Sequence, residues 1–279
     1  MELQLTSAQP GPTMMRMQSH EPKAGHQCQG PLWSTLEEVC ALLHVPSVSP
    51  ASAKVLFQHV QFRTGQRIHS IGQAFDTLYV VHAGFLKTAL VDDFGNEKVL
   101  SFPMKGDMIG IDGIHAGTHT CETLALSECD LILLSFTRLN SLSRVNPDIE
   151  TLMYRMMSRE LALRQEVISM LGTLSAEARV ARFLVALSDR FAALGYSNRI
   201  FNLRMTRQEI GSYLGLTMET VSRTISAFND MGYISVHQRT ISIMDAQALT
   251  ALRRLAPSPG RQALRRSSTG VAPKPSASK

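Results

Sequence analysis

Between Thr206 and Ile234 the order of residues admits few folds. Thr206, followed three residues later by Glu209, has the form of a capping box. Ile210 and Leu214 give the short helix that follows an apolar face. Gly215 supplies the tight turn through which two helices meet at a steep angle. Thr217 is suited to cap the second helix, where Val221, Ile225 and Phe228 recur at helical spacing and face a core. Met218, Glu219, Ser222 and Arg223 fall on the opposite side, near the helix start. Tyr233 to Val236 and Thr240 to Ile243 then alternate apolar and polar at the strand period, with His237-Gln238-Arg239 as the hairpin tip. The spacing predicts a helix-turn-helix followed by a wing.

The side chains on the open face of the second helix suit nucleobase edges. Arg223 can donate two hydrogen bonds to guanine O6 and N7, and Glu219 can accept from a cytosine amino group. Ser222 serves several bases or a phosphate, while Met218 offers only apolar contact, such as with a thymine methyl. A carboxylate aimed at DNA is costly unless paired, so Glu219 is expected to pair with Arg223 four residues on. Arg239 at the wing tip more often meets a phosphate than a base. Thr206, Arg207 and Thr217, at the two helix starts, complete the candidate contact set. A plain amphipathic helix with a solvated Glu-Arg pair would account for the second helix, but not for its agreement with cap, turn and wing.

A chain of 279 residues permits two domains and a sizeable core. No apolar run approaches the eighteen or so residues of a membrane span, and no signal-peptide pattern is present, so a cytoplasmic protein is the expectation. The net charge of +5 is deceptive, because the tail from Ala256 carries Arg261, Arg265, Arg266, Lys274 and Lys279 and no acidic residue. That tail alone accounts for the whole surplus, so the folded body is not broadly basic. Rich in Pro, Ser, Ala and Arg, residues 256–279 are expected to be disordered, as are residues 1–30.

Residues 31–145 read as a sensory domain. Leu32 to Leu43 suggests a short helix with Leu32, Leu36, Val39 and Leu43 on one face, and residues 50–58 suggest another. From Val60 to Leu139, glycines punctuate short alternating strands at roughly ten-residue intervals, which predicts a small antiparallel barrel or roll. Asp93-Phe94-Gly95-Asn96 has the composition of a hairpin turn. Pro147 opens a long helix over residues 146–175, on which Ile149, Met153, Met156, Leu163, Val167 and Met170 form a near-heptad stripe suited to a two-stranded coiled coil. Ala176 to Leu194 reads as a further helix, and residues 176–250 as the winged unit.

A glycine-punctuated roll, a long helix and a C-terminal winged helix-turn-helix resemble the Crp/Fnr family of bacterial transcription regulators, over about residues 45–245. The fold class implied is α+β: an N-terminal antiparallel β-roll like a cyclic-nucleotide-binding domain, a long dimerisation helix and a winged helix-turn-helix. The most specific part is Met205 to Arg223, similar to the Fnr branch, whose recognition helix carries Glu-x-x-Ser-Arg, here Glu219, Ser222 and Arg223. Met218 stands where the cAMP-receptor branch has arginine. The resemblance implies a homodimer on a palindrome of double-stranded DNA with half-sites like TTGAT, and RNA polymerase as a partner through surface loops such as Asp92 to Asn96.

The input is less plain. Gly106-Asp107 keeps the turn of a phosphate cassette, yet no arginine lies between Arg67 and Arg138, so a cyclic nucleotide is not expected. The Fnr branch implies an iron-sulfur cluster held by thiolates. Cys28, Cys40, Cys121 and Cys129 are the candidate ligands, although their spacing departs from the family's pattern. Thiol redox chemistry, heme or nitric oxide, a small ligand, or no ligand at all remain open as inputs. His115 and His119 with Cys121 form a weaker metal candidate. The rival readings are a ligand-binding roll whose winged helix contacts proteins, and a regulatory enzyme. Against an enzyme, the chain has no P-loop, GxSxG, HExxH or GxGxxG, and the pairs Asp107/Asp112 and Glu122/Glu128 have no nucleophile or base around them.

Overall fold

Short stretches of alternating burial build the first half of the chain. The computed structural model describes residues 32–45, 55–92 and 94–252, so the two terminal tails and Cys28 lie outside the described residues. The roll runs β1 (Trp33–Thr35), α1 (Leu36–Leu42), β2 (Leu56–Phe62), β3 (Arg67–His69), β4 (Thr77–Ala83), β5 (Leu86–Val91), β6 (Glu97–Ser101), β7 (Met108–Ile109), α2 (Gly113–Ala116), β8 (Glu122–Ala125), β9 (Cys129–Ser135) and α3 (Phe136–Ser143). It forms two sheets of antiparallel pairs, in the orders β1-β2-β9-β4-β7 and β3-β8-β5-β6.

Two helix expectations at the start are corrected. Residues 33–35 pair as a strand with β2, and the helix begins only at Leu36, where Thr35 and Glu38 close a capping box. Leu32 therefore lies outside the helix and is 51% exposed, not part of its face. The helix expected over 50–58 is a strand from Leu56 onward, with residues 50–54 outside the described set. Phe57 and His59 turn inward while Leu56 and Gln58 turn out, the period of a strand.

The second half runs α4 (Pro147–Thr173), α5 (Ala176–Ala193), β10 (Ile200–Asn202), α6 (Arg207–Leu214), α7 (Met218–Asp230), β11 (Ile234–His237), β12 (Thr240–Ile243) and α8 (Ala246–Leu252). Asn146 caps α4 through the Asp148 N–H, and Pro147, which needs no intrahelical donor there, takes its first position. The wing contains a strand that the sequence reading lacked, since β10 joins β12 and β11 in the order β10-β12-β11.

α4 serves different neighbours along its length. Ile149, Leu152 and Met156 are buried in the core of the roll with Leu36, Phe57, Leu78 and Ile132, and Met153 packs beside them. Met170, with Val167 at its edge, joins a second core made by α5, α6, α7 and the wing. That core also takes in Val99, Phe102 and Met104, so the winged unit is packed on the roll. The expected single dimer stripe is thus corrected. Of its six members, Ile149, Met156 and Met170 are fully buried within their own chain, and only Leu163 is exposed. A different row faces out, with Tyr154 63%, Leu161 59% and Ile168 69% exposed at seven-residue spacing.

Candidate nucleic-acid interface

The capping box of α6 forms as its residues require: Thr206 Oγ1 accepts from the Glu209 N–H at 3.2 Å, and Glu209 Oε2 accepts from the Thr206 N–H at 2.7 Å. Gly215 ends the helix in the left-handed region at φ 63°, where a side chain would be strained. The turn also needs Gly211, because a Cβ there would stand 2.8 Å from the Leu216 carbonyl oxygen. The two glycines let the chain double back, and Thr217 then caps α7 through the Thr220 N–H at 3.1 Å.

α7 buries Val221, Thr224, Ile225 and Phe228 and turns its other side outward. Glu219 and Arg223 are exposed, Met218 is 48% exposed and Ser222 is half-buried. The expected Glu219–Arg223 ion pair is not among those formed by the described residues. The helix start captures the carboxylate instead: its own backbone N–H and the Thr217 side chain hold Glu219 below the usual carboxylate range, with the Arg223 charge a smaller influence. Arg223 is thereby left on the open face without that pairing.

Arg239 is exposed at the wing tip, beside Gln238 at φ 54°, and reaches the Arg204 carbonyl oxygen at 3.4 Å. Arg207, named in the candidate DNA-contact set, is turned partly inward. It is half-buried, its Nη1 is buried without a hydrogen-bond partner, and burial lowers its pKa.

The sequence reading missed what lies behind α6. Lys87 of β5, buried, places Nζ 2.8 Å from both Glu97 Oε2 and Glu209 Oε1. Ser212 Oγ donates to the Glu97 carbonyl oxygen at 3.0 Å and accepts from the Val99 N–H at 2.9 Å, and Lys98 donates to the Ser212 carbonyl. α6 is therefore latched to the hairpin of β5 and β6. The contacts between α6 and this hairpin join residues more than 110 apart in sequence, so no local pattern could have announced them.

The three cysteines among the described residues do not converge. Cys40 packs among Leu36, Val39 and Phe57, and burial pushes its thiol up to about 11. Cys129 packs with Ala125 and its thiol meets the Phe85 and Ser127 carbonyls at 3.3 Å. Cys121 precedes the far end of β8 from Ala125, about 13 Å away at strand rise, and burial raises it as well. Three buried thiols in separate places do not fit a four-thiolate cluster, which needs its sulfurs around one centre. His115 is exposed and stands apart from the expected His115, His119 and Cys121 set. Among the described residues the groups of metal-capable side chains are His59, His82 and Asp130, and His69, Asp112 and His119.

Three of the four carboxylates weighed as catalytic are otherwise engaged, and Glu128 is exposed. Asp107 is paired to Arg159 of α4 at 3.2 Å and to Arg190 of α5. Asp112 accepts from the Thr120 and Cys121 N–H groups, and Glu122 pairs with Arg67 at 3.1 Å. No helix among the described residues is long and apolar enough to cross a membrane.

A β-roll joined by a long helix to an exposed recognition helix and wing defines a DNA-binding transcription regulator. Residues 59–146 match the cyclic nucleotide-binding domain family, and residues 178–252 match the Crp-like helix-turn-helix domain family. The chain is 34% identical over 220 residues to the transcriptional regulatory protein btr of Bordetella pertussis, covering 76% of this chain and 91% of that protein. It is 37% identical over 188 residues to the fumarate and nitrate reduction regulatory protein of Escherichia coli, covering 67% of this chain and 75% of that one. The solved structure of FixK2 from Bradyrhizobium japonicum superposes with a TM-score of 0.65 at 25% identity, over 71% of this chain and 98% of that one. This chain belongs to the Crp/Fnr family of transcription regulators. Its relatives carry the names of regulatory proteins, one of them a transcriptional activator.

Proposed function

We propose that two copies of this chain, in the cytoplasm, bind a palindromic site with half-sites like TTGAT, each reading one half with Met218, Glu219, Ser222 and Arg223. Thr206, Thr217 and Arg239 support that contact at the backbone, and residues 31–145, 146–175 and 176–250 act as sensor, dimer helix and reader. The observation that carries this reading is the outward set of α7 lying opposite its buried Val221, Ile225 and Phe228. A helix with one face locked and the other carrying a guanidinium, a carboxylate and a hydroxyl is built to enter a major groove.

The dimer face is Tyr154, Leu161 and Ile168. Their strict seven-residue repeat matches a coiled-coil seam, and large apolar side chains on a helix stretch without other cover favour a second copy. The hairpin tip Asp92 to Asn96, with Phe94 91% exposed, is the candidate contact for RNA polymerase and an activating role. Relatives named for fumarate and nitrate reduction and for anaerobic regulation support an oxygen- or redox-linked signal.

The test is a titration of the full chain onto a palindromic TTGAT-type duplex and onto a scrambled one at the same salt. Preference for the palindrome with two chains per duplex is expected. Leu161→Glu with Ile168→Glu should yield a folded monomer by sedimentation and lose that preference. Equal binding to both duplexes, or an unchanged dimer in the double variant, refutes the base-reading or the seam respectively.

A further inference from the structure

On the five-stranded sheet of the roll, far from α7 in sequence, two imidazoles and a carboxylate meet. His59 Nδ1 lies 2.9 Å from both oxygens of Asp130, and His82 Nδ1 lies 3.0 Å from its Oδ2. The residues come from β2, β4 and β9, three neighbouring strands. The two rings are steeply inclined, 72° apart with centroids at 4.9 Å, so their in-plane lone pairs can aim at one point. All three ligand atoms fall within 4.8 Å of one another. Ser34 Oγ stands 2.8 Å from His59 Nε2. Ser34 and both histidines line a cleft of about 550 Å³ that Ala193 of α5 also borders.

The geometry points to a binding site for a divalent first-row transition metal of the zinc or iron(II) class, held by His59 Nδ1, His82 Nδ1 and Asp130. Imidazole and carboxylate are the ligand types this class prefers, and three protein ligands plus one open position is a recurrent arrangement. Tetrahedral bonds of about 2.1 Å put neighbouring ligand atoms about 3.4 Å apart. The observed separations from Asp130, 2.9 to 3.0 Å, need only a few tenths of an ångström of spreading. Protons balance without loss. In the metal-free form each Nδ1–H donates to Asp130 and the Ser34 hydroxyl donates to His59 Nε2. With the ion bound, the ring protons sit on Nε2, and Ser34 Oγ accepts from His59, fixing its ring as outer partners of ligating histidines do. The other cluster, His69 and His119 with Asp112, does not offer this. Its rings stack nearly parallel, 17° apart at 3.9 Å, so their lone pairs run side by side and do not converge.

The probe is Zn²⁺ added to the purified full chain, with Co²⁺ as its coloured substitute. One tight equivalent of Zn²⁺ is expected, with a rise in melting temperature. Bound Co²⁺ should show visible ligand-field bands without sulfur charge transfer. Ser34→Ala should weaken binding by roughly 10-fold. His82→Ala should abolish the stoichiometric site and the melting shift. Asp130→Asn, which keeps the side chain's shape, should do the same if His82→Ala fails to fold. The exposed His115→Ala should change nothing. Absence of a tight equivalent, its persistence in His82→Ala and Asp130→Asn, or a sulfur-to-cobalt band would overturn the assignment.

Discussion

Arg223→Ala is expected to weaken binding to the specific duplex by about 1–3 kcal/mol, a loss of roughly five- to 150-fold, and to relax the requirement at one base pair of each half-site. The size follows from losing a bidentate contact to a single base. The helix itself has little reason to suffer, because Arg223 is exposed on α7 and makes none of the core contacts of Val221, Ile225 and Phe228. Arg239→Ala provides the contrast. A phosphate contact at the wing tip should weaken specific and scrambled duplexes alike and lower the salt dependence by about one counterion. Both are read by anisotropy titration at fixed ionic strength, over duplexes carrying each base at the affected position. If Arg223→Ala discriminates among those duplexes as the unmodified chain does, its assigned role is wrong.

Lys87→Met is expected to destabilise the folded chain by about 3 kcal/mol, within the range for breaking a buried ion pair from one side. The ammonium is nearly inaccessible and serves two carboxylates; Glu209 has a side chain 16% exposed and Glu97 one 34% exposed. Without it, two negative groups face each other with little water, although Glu97 is better screened. Burial opposes the charged form of Lys87, yet its hydrogen bonds to Glu209 and Glu97 leave its pKa above the ordinary value. Burial likewise opposes the charged form of Glu209, and its bonds to Lys87 and Thr206 leave it below the usual carboxylate range. The sign follows from linkage. The Glu209 contribution is present above its unfolded pKa and lost as pH falls through the lowered value. The Lys87 contribution is present below its unfolded pKa and lost as pH rises through the raised value. Melting temperatures across pH should therefore decline at both extremes, and the acid decline should be shallower in Lys87→Met. Adding Glu209→Gln to Lys87→Met should recover part of the loss; a strictly additive double variant would contradict the pairing.

The reading half of the molecule was legible in the sequence because local chemistry specifies it. A capping threonine with glutamate three residues on, a left-handed glycine and a second capping threonine each act within one helical turn, and all form as expected. What escaped depends on distance along the chain. A heptad count on α4 finds apolar rows but cannot tell which row the chain's own roll will cover, so Ile149 and Met156 looked free while Tyr154 and Ile168 went unnoticed. Residues 33–35 take the extended form because β2 offers them a ladder. Glu219 seemed destined for Arg223 by spacing, yet the nearer donors at the helix start won. His59, His82 and Asp130 come together only because β9 runs between β2 and β4.

Asp107 has one further consequence. A single carboxylate on the turn before β7 receives Arg159 from α4 and Arg190 from α5. The roll, α4 and α5, already joined through their apolar cores, also meet at this one carboxylate, so neutralising Asp107 would release both helices' arginines from the turn at once.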